Sequence, residues 1–218
     1  MKLIERKIIA GILCVSATSA VSADVLVSNL NQSSTFTPSS TGLLTNSIIY
    51  SSQFVTGTDL SEVFSATARL RNASGFGDAT YEAYIYTDSG MGPDSLVASF
   101  DSTPTIFDGG GTQTVSFTSV AGIALDANTA YWFGVRNTTG TYMGWEATGS
   151  DAESSTAGWT IDDEATYRSS NNGASWQDYT ATYGGKVFKF AIEGNTVPAP
   201  GALVLLSVGG AIASRRRR

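Results

Sequence analysis

Short segments that alternate apolar and polar residues, broken by clusters of turn formers, constrain this chain more than any other feature. Phe188, Phe190 and Ile192 share one face of residues 187–192, and Lys189 and Ala191 take the other. Gln113, Val115 and Phe117 alternate with Thr114 and Ser116; Tyr131, Phe133 and Val135 alternate with Trp132, Gly134 and Arg136. A period of two puts successive side chains on opposite faces of a strand, one toward a core and one toward solvent. Thr, Ser, Gly, Val, Tyr and Phe dominate the body, a β-sheet and turn composition, and helical periodicity is nearly absent.

Further strands are expected over residues 24–30, 47–56, 62–70, 81–87, 95–102, 142–147, 165–169 and 175–179. Turns fall between them at 75–77, 89–93, 108–111, 137–140 and 171–173. Many short strands at this spacing predict an all-β fold, an antiparallel two-sheet β-sandwich of jelly-roll type. The length suits one domain, assigned here to residues 24–194 without an internal repeat.

The two ends read differently. Lys2, Arg6 and Lys7 precede an apolar stretch at 8–15 and then small residues, the order of a secretory signal over residues 1–23. Val21-Ser22-Ala23 fits signal peptidase, which would cut between Ala23 and Asp24. An N-terminal anchor is the alternative, but the apolar run is short of the ~20 residues a spanning helix needs. Cys14 follows Ile12-Leu13, where a lipoprotein signal requires a small residue, and it is the only cysteine. The processed chain would have no disulfide and no thiol chemistry.

At the other end, residues 195–218 comprise a linker, the Val197-Pro198-Ala199-Pro200 turn, an apolar run over 201–214 and the block Arg215, Arg216, Arg217 and Arg218. As a helix the apolar run would span about 21 Å at ~1.5 Å per residue, against a hydrocarbon core ~30 Å thick. This is a marginal transmembrane helix, with arginines that would remain on the cytoplasmic side. The segment resembles the PEP-CTERM sorting signal of Gram-negative bacteria, with Ala199 where that family usually has Glu. The resemblance implies an exosortase-like sorting enzyme as partner, transient inner-membrane association, and a cell-surface or extracellular destination. A retained tail anchor is the alternative.

A second resemblance lies in the body, at Ala83-Tyr84-Ile85-Tyr86-Thr87-Asp88-Ser89-Gly90, Pro93-Asp94-Ser95-Leu96 and Leu125-Asp126-Ala127-Asn128-Thr129-Ala130-Tyr131-Trp132-Phe133. These stretches are similar to the choice-of-anchor R domains, exported bacterial β-domains carried on different C-terminal anchors. The resemblance implies an export-dependent surface role and no particular activity.

Between residues 24 and 195, eighteen acidic residues stand against six basic ones (Arg69, Arg71, Arg136, Arg168, Lys186 and Lys189), a net of −12. Such a body repels nucleic acid and anionic membranes. The chain has no histidine, which removes histidine triads, histidine bases and histidine metal sites. Gly109-Gly110-Gly111 lacks the Lys-Ser/Thr of a phosphate loop and reads as a hairpin turn.

Three uses remain for the polar residues. Asp108, Asp162 and Asp163 are candidate ligands for a structural Ca²⁺, whose hard oxygen chemistry suits loops; no other cofactor is expected. Tyr142, Trp145, Trp159 and Trp176, with Tyr167 and Tyr179 beside them in the second half of the chain, are candidates for stacking against sugar rings, with core packing as the competing use. A carboxylate-based glycan hydrolase would need two acids across a groove. The expected function is a non-catalytic surface or extracellular-matrix protein, with a carbohydrate-binding module for extracellular polysaccharide as the alternative and the hydrolase third.

Overall fold

The computed structural model describes residues 23–34, 47–139, 143–150, 152–156 and 158–197, with 163 and 164 by backbone alone. The proposed signal peptide, sorting segment and C-terminal helix lie outside these residues, except for Ala23 and for Asn195 to Val197, which were expected as linker and instead extend the last strand by pairing with Glu62, Ser61 and Leu60. Strands and turns make up the described chain, which contains no helix; the all-β expectation holds.

One sheet runs in the order β11 (Ser154–Ser155), β1 (Asp24–Ser28), β15 (Phe190–Val197), β3 (Leu60–Asn72) and β7 (Gly111–Leu125), with β9 (Gly144–Trp145) paired onto β3. The facing sheet runs β13 (Gln177–Asp178), β12 (Thr160–Ser169), β2 (Ile49–Val55), β8 (Ala130–Asn137), β4 (Ala79–Asp88) and β5 (Pro93–Ser99). In it, β6 (Thr105–Ile106) pairs with β4; a separate two-stranded ladder joins β10 (Ala147–Thr148) to β14 (Val187–Phe188). Every pairing is antiparallel. The short strands β6 and β11 have no counterpart in the sequence reading, because two residues are too few to show a period.

Alternation builds the core. Phe54 of β2, Ile85 of β4 and Phe133 of β8 face Ala66 of β3, Phe117 of β7 and Phe190 of β15, all of them buried. Their rings meet edge to face: Phe133 lies 6.3 Å from Phe117 at 66° and 5.7 Å from Trp145 at 88°, geometries that suit the ring quadrupoles. At the crossing of β15 and β3 the register slips between Glu193 and Gly194. A Cβ on Gly194 would lie 2.2 Å from the Glu62 carbonyl oxygen, so only glycine permits that close approach.

The register also brings the two termini of the β-domain together. Asp24 pairs with Gly194, and Leu60 with Val197. The first and last strands are therefore neighbours, and both terminal strands leave the sandwich at one end. At the opposite end lie the turns 73–78 and 107–110.

Candidate functional site

The side chains on the outer face of the β2–β8–β4 sheet are not solvated in the way alternation predicts. Reading across the register, Tyr86 of β4 lies beside Trp132 of β8, and Trp132 beside Gln53 of β2. One row on come Tyr84, Gly134, Ser51 and Tyr167. Ile49, Tyr86 and Trp132 are buried as a second, smaller apolar cluster, with Tyr84, Ala165, Tyr167 and Trp176 packed against it. Gly134 makes room for this: a Cβ there would lie 3.1 Å from Ile49 Cγ2 and 3.2 Å from Tyr86 Cε2.

Loops cover the cluster. The 170–176 loop is tied by Gly173 N–H to Ser169 Oγ at 2.8 Å and Asn171 Nδ2 to Ser175 Oγ at 2.9 Å. It lays Trp176 edge to face on Tyr86, centroids 5.0 Å apart. Tyr167 meets Trp132 at 4.9 Å and 70°. At the side toward Asn137, Arg136 donates to Glu82 and to Asn172 Oδ1, and Tyr84 Oη donates to the same Glu82 carboxylate. Burial alone would raise the Glu82 carboxyl, but Tyr84 and Arg136 together hold it below its ordinary value. Burial first, and Glu82 next, push the Tyr84 phenol up, while burial raises Tyr86 to about 12.

What the loops leave uncovered is a cleft of about 190 Å³ at the other side of the cluster. Gln53, Asp88, Met91, Trp132, Asp162 and Tyr167 line it. The Trp132 indole N–H donates to Asp88 Oδ1 at 2.8 Å, which fixes the carboxylate from below. Ser89 Oγ and Ser89 N–H both donate to the Gly92 carbonyl, at 2.9 and 3.0 Å, and shape the turn above it. Burial raises the Tyr167 phenol, helped by Asp178 and Asp88.

The residues singled out from the sequence fall in several places. Trp145 and Trp159 are each 1% exposed and belong to the main core. Trp145 stacks on Phe188 at 4.6 Å and 10°, and Trp159 lies parallel to Phe54 at 5.8 Å. Neither can present a face to a sugar, which corrects that expectation: their alternation marks packing. Trp176 is half-buried against Tyr86, and Tyr142 lies outside the described residues.

Asp108 and Asp162 do not come together. The Asp108 carboxylate accepts the Gly75 and Phe76 N–H groups at 3.2 and 3.1 Å, and Asp108 N–H donates to Asp78 Oδ1 at 2.9 Å. Asp78 precedes β4, and the Asp162 cleft begins at Asp88, where β4 ends; at ~3.3 Å per residue that is roughly 30 Å of strand. A calcium site shared by Asp108 and Asp162 is thereby corrected, and Asp108 instead joins two turns. Among the described side chains no group of three or more His, Cys, Asp or Glu could hold a metal; Asp163 is described by backbone alone. Ala23 and Asp24 are exposed where β1 begins, Val197 is exposed where β15 ends, and Pro198 to Arg218 lie outside the described residues.

The sequence reading missed Gln53, Asp88 and Trp132 as members of a site, and it weighed Tyr167 for sugar stacking without the neighbours it has here. The signal present was aromatic density: Trp132 on a position expected to face solvent, and Tyr84 and Tyr86 alternating along the neighbouring strand. Searches against models of known protein families and against curated proteins find no match for this chain.

Proposed function

We propose that this chain is an exported, C-terminally sorted, non-catalytic β-sandwich protein of the surface or extracellular matrix of a Gram-negative bacterium. One observation carries the reading. Sheet pairing begins at Asp24, the residue that follows the expected signal-peptidase site, and among the described residues runs on to Val197, where the Val-Pro-Ala-Pro turn of the sorting segment starts. Asp24 and Gly194 are cross-strand partners, so both address segments attach at one end of the sandwich. Cutting before Asp24 or after Val197 leaves every sheet pairing among the described residues intact.

The strand orders β1-β15-β3-β7 and β2-β8-β4-β5, with successive long strands passing mostly from one sheet to the other, support a jelly-roll form of sandwich. β12 would be an addition at the β2 edge. The partners on this reading are signal peptidase and an exosortase-like enzyme, met at the inner membrane.

Fractionation of the producing cells with intact-mass measurement tests it. A surface or released species that begins at Asp24, and has lost Arg215 to Arg218, is expected. A species held in the inner membrane with all four arginines sinks the sorting claim and leaves a tail anchor. The second reading, a carbohydrate-binding module, is favoured by the Asp88–Tyr167 cleft.

A further inference from the structure

The aromatic cluster explains why Trp132 and Tyr86 are apolar and large. It does not explain why an opening in its cover is lined by two carboxylates, an amide and a phenol. Asp88 is held in place by Trp132, yet a carboxylate offers about four lone-pair positions and the indole N–H takes one. Gln53 adds an amide, able to donate and to accept. Tyr167, half-buried, supplies an aromatic flank beside these groups. Above them the turn is tight: Gly90 and Gly92 have φ of +79° and +126°, and a Cβ on Gly92 would meet Tyr167 Cε1 at 2.5 Å. That turn carries Met91 to the rim, 84% exposed, a flexible apolar side chain that can adapt to what lies beside it.

The cleft has hydrogen-bond acceptors next to an aromatic wall, which matches a pyranose, with its ring of hydroxyl donors and its apolar C–H faces. Its roughly 190 Å³ is below the ~300–1,000 Å³ of pockets for drug-sized ligands, so it fits one sugar unit. Charge narrows the class further. Among the described residues that line it, two are aspartates and none is Lys or Arg, in a domain of net −12. A uronate or sulfated sugar would bring a like charge to Asp88 and Asp162, which costs binding energy.

We infer that the cleft formed by Gln53, Asp88, Met91, Trp132, Asp162 and Tyr167 binds one pyranose unit of a non-anionic glycan, neutral or amine-bearing. The inference rests on the proposed surface location only for where that glycan is met. The carboxylates accept its hydroxyl or ammonium hydrogens, and Tyr167 and Met91 contact its C–H face. No bond is made or broken.

The test is an array of neutral, amine-bearing and uronate oligosaccharides probed with the protein isolated from the producing cells. Wild type is expected to bind neutral or amine-bearing members at least tenfold better than uronates. Asp88→Asn keeps an oxygen for the Trp132 N–H, so the fold should persist, and binding should fall at least tenfold. Tyr167→Ala should do the same, and its near-UV circular dichroism and melting temperature report whether the cluster has collapsed. Gln53→Ala leaves the aromatic cluster untouched and should also weaken binding, so the test survives if Tyr167→Ala misfolds.

Three results overturn the inference: no binding to neutral or amine-bearing members, a preference for uronates, or binding that Asp88→Asn and Gln53→Ala leave unchanged. A melting temperature raised by CaCl2 alone in wild type but not in Asp88→Asn, with no glycan bound, would assign the cleft to a metal instead. The intact-mass result stands apart from all of these. A correctly processed protein that binds no glycan removes this inference only, and a glycan binder with its tail intact removes the sorting claim only.

Discussion

The outer faces of the two sheets have solved the same problem with opposite chemistry. On the β1–β15–β3 sheet the residues facing away from the core include Arg69, Glu146 and Lys189, and the segment Gln32–Ser34 lies over them. Lys189 Nζ donates to the Gln32 carbonyl at 2.6 Å and to Ser34 Oγ at 3.1 Å. Ser34 Oγ donates to Glu146 Oε2 at 2.7 Å, and Arg69 Nε reaches the same oxygen at 3.3 Å. Backbone bonds close the group, from Glu146 N–H to Arg69 O at 2.9 Å and from Lys189 N–H to Glu146 O at 2.8 Å. Burial outweighs the carboxylate at Lys189 and lowers its ammonium, while at Glu146 the hydrogen bonds from Ser34 and Arg69 and the charges of Arg69 and Lys189 outweigh burial and hold the carboxyl below its ordinary value.

On the other sheet the cover is mainly aromatic, with the Arg136–Glu82 pair at one side. Rings need matching shape but few specific partners, and their fit beneath loops leaves space at the margin. A buried ionic group must have its hydrogen bonds satisfied, and the 32–34 segment closes over Lys189 and Glu146 to supply them. The difference teaches why the cleft lies over the aromatic face: there an opening exposes polar side chains at little cost to stability.

The comparison can be broken at either face. Trp132→Ala removes a side chain only 2% exposed and should cost about 3–5 kcal/mol in denaturant unfolding, the range for buried Trp or Phe truncation. A loss under 1 kcal/mol would mean that the second cluster contributes little to the fold.

Glu146→Gln should cost about 3 kcal/mol by leaving a buried ammonium without its counter-charge. Adding Lys189→Met should recover part of that loss, so that a double-mutant cycle shows coupling between the two sites. Additive losses would contradict a joint network. The pH dependence has a definite sign. Because the folded Glu146 carboxyl titrates below its ordinary 4.5, the unfolded chain binds the proton first as acid is added. Its stabilisation is complete above that value and is lost as pH falls through the lower folded one. Unfolding followed from pH 6 to pH 3 should show a shallower decline for Glu146→Gln than for wild type.

A smaller effect is expected at the turn over the cleft. Gly92→Ala forces a side chain into a left-handed conformation and against Tyr167, for about 1–3 kcal/mol; an unchanged melting curve would show that the turn moves freely. The smallest effect belongs to Asp108→Ala, about 1 kcal/mol for the lost turn hydrogen bonds. Wild type and this variant should respond alike to CaCl2 and to chelator, and a response confined to wild type would restore a metal to Asp108.

Much of the fold was legible. The alternation at Tyr131, Phe133 and Val135, and at Phe188, Phe190 and Ile192, places all six in the main core. The turns at 75–77, 89–93 and 108–111 fall between strands as their Gly, Pro and Asp content requires. Alternation misled where it equated the second face with solvent: Lys189 and Ala191 are 4% and 2% exposed and Trp132 is 2% exposed. The candidate site was hardly legible. Asp162 was chosen for charge density, whereas its setting with Gln53, Trp132, Asp88 and Tyr167 comes from four strands, β12, β2, β8 and β4, that are neighbours only in the folded sheet.

Sequence by itself determined the β class, the acidic character of the body, the absence of histidine and cysteine chemistry from it, and the two segments that read as addresses. These are properties of composition and of neighbours along the chain. Only the tertiary structure decided that Trp145 and Trp159 are core, that Asp108 ties turns together, and that each sheet carries a covered outer face. The contacts responsible join residues far apart in the chain, such as Gln32 to Lys189 and Asp88 to Trp132, and local periodicity carries no record of which distant segment will lie across a strand.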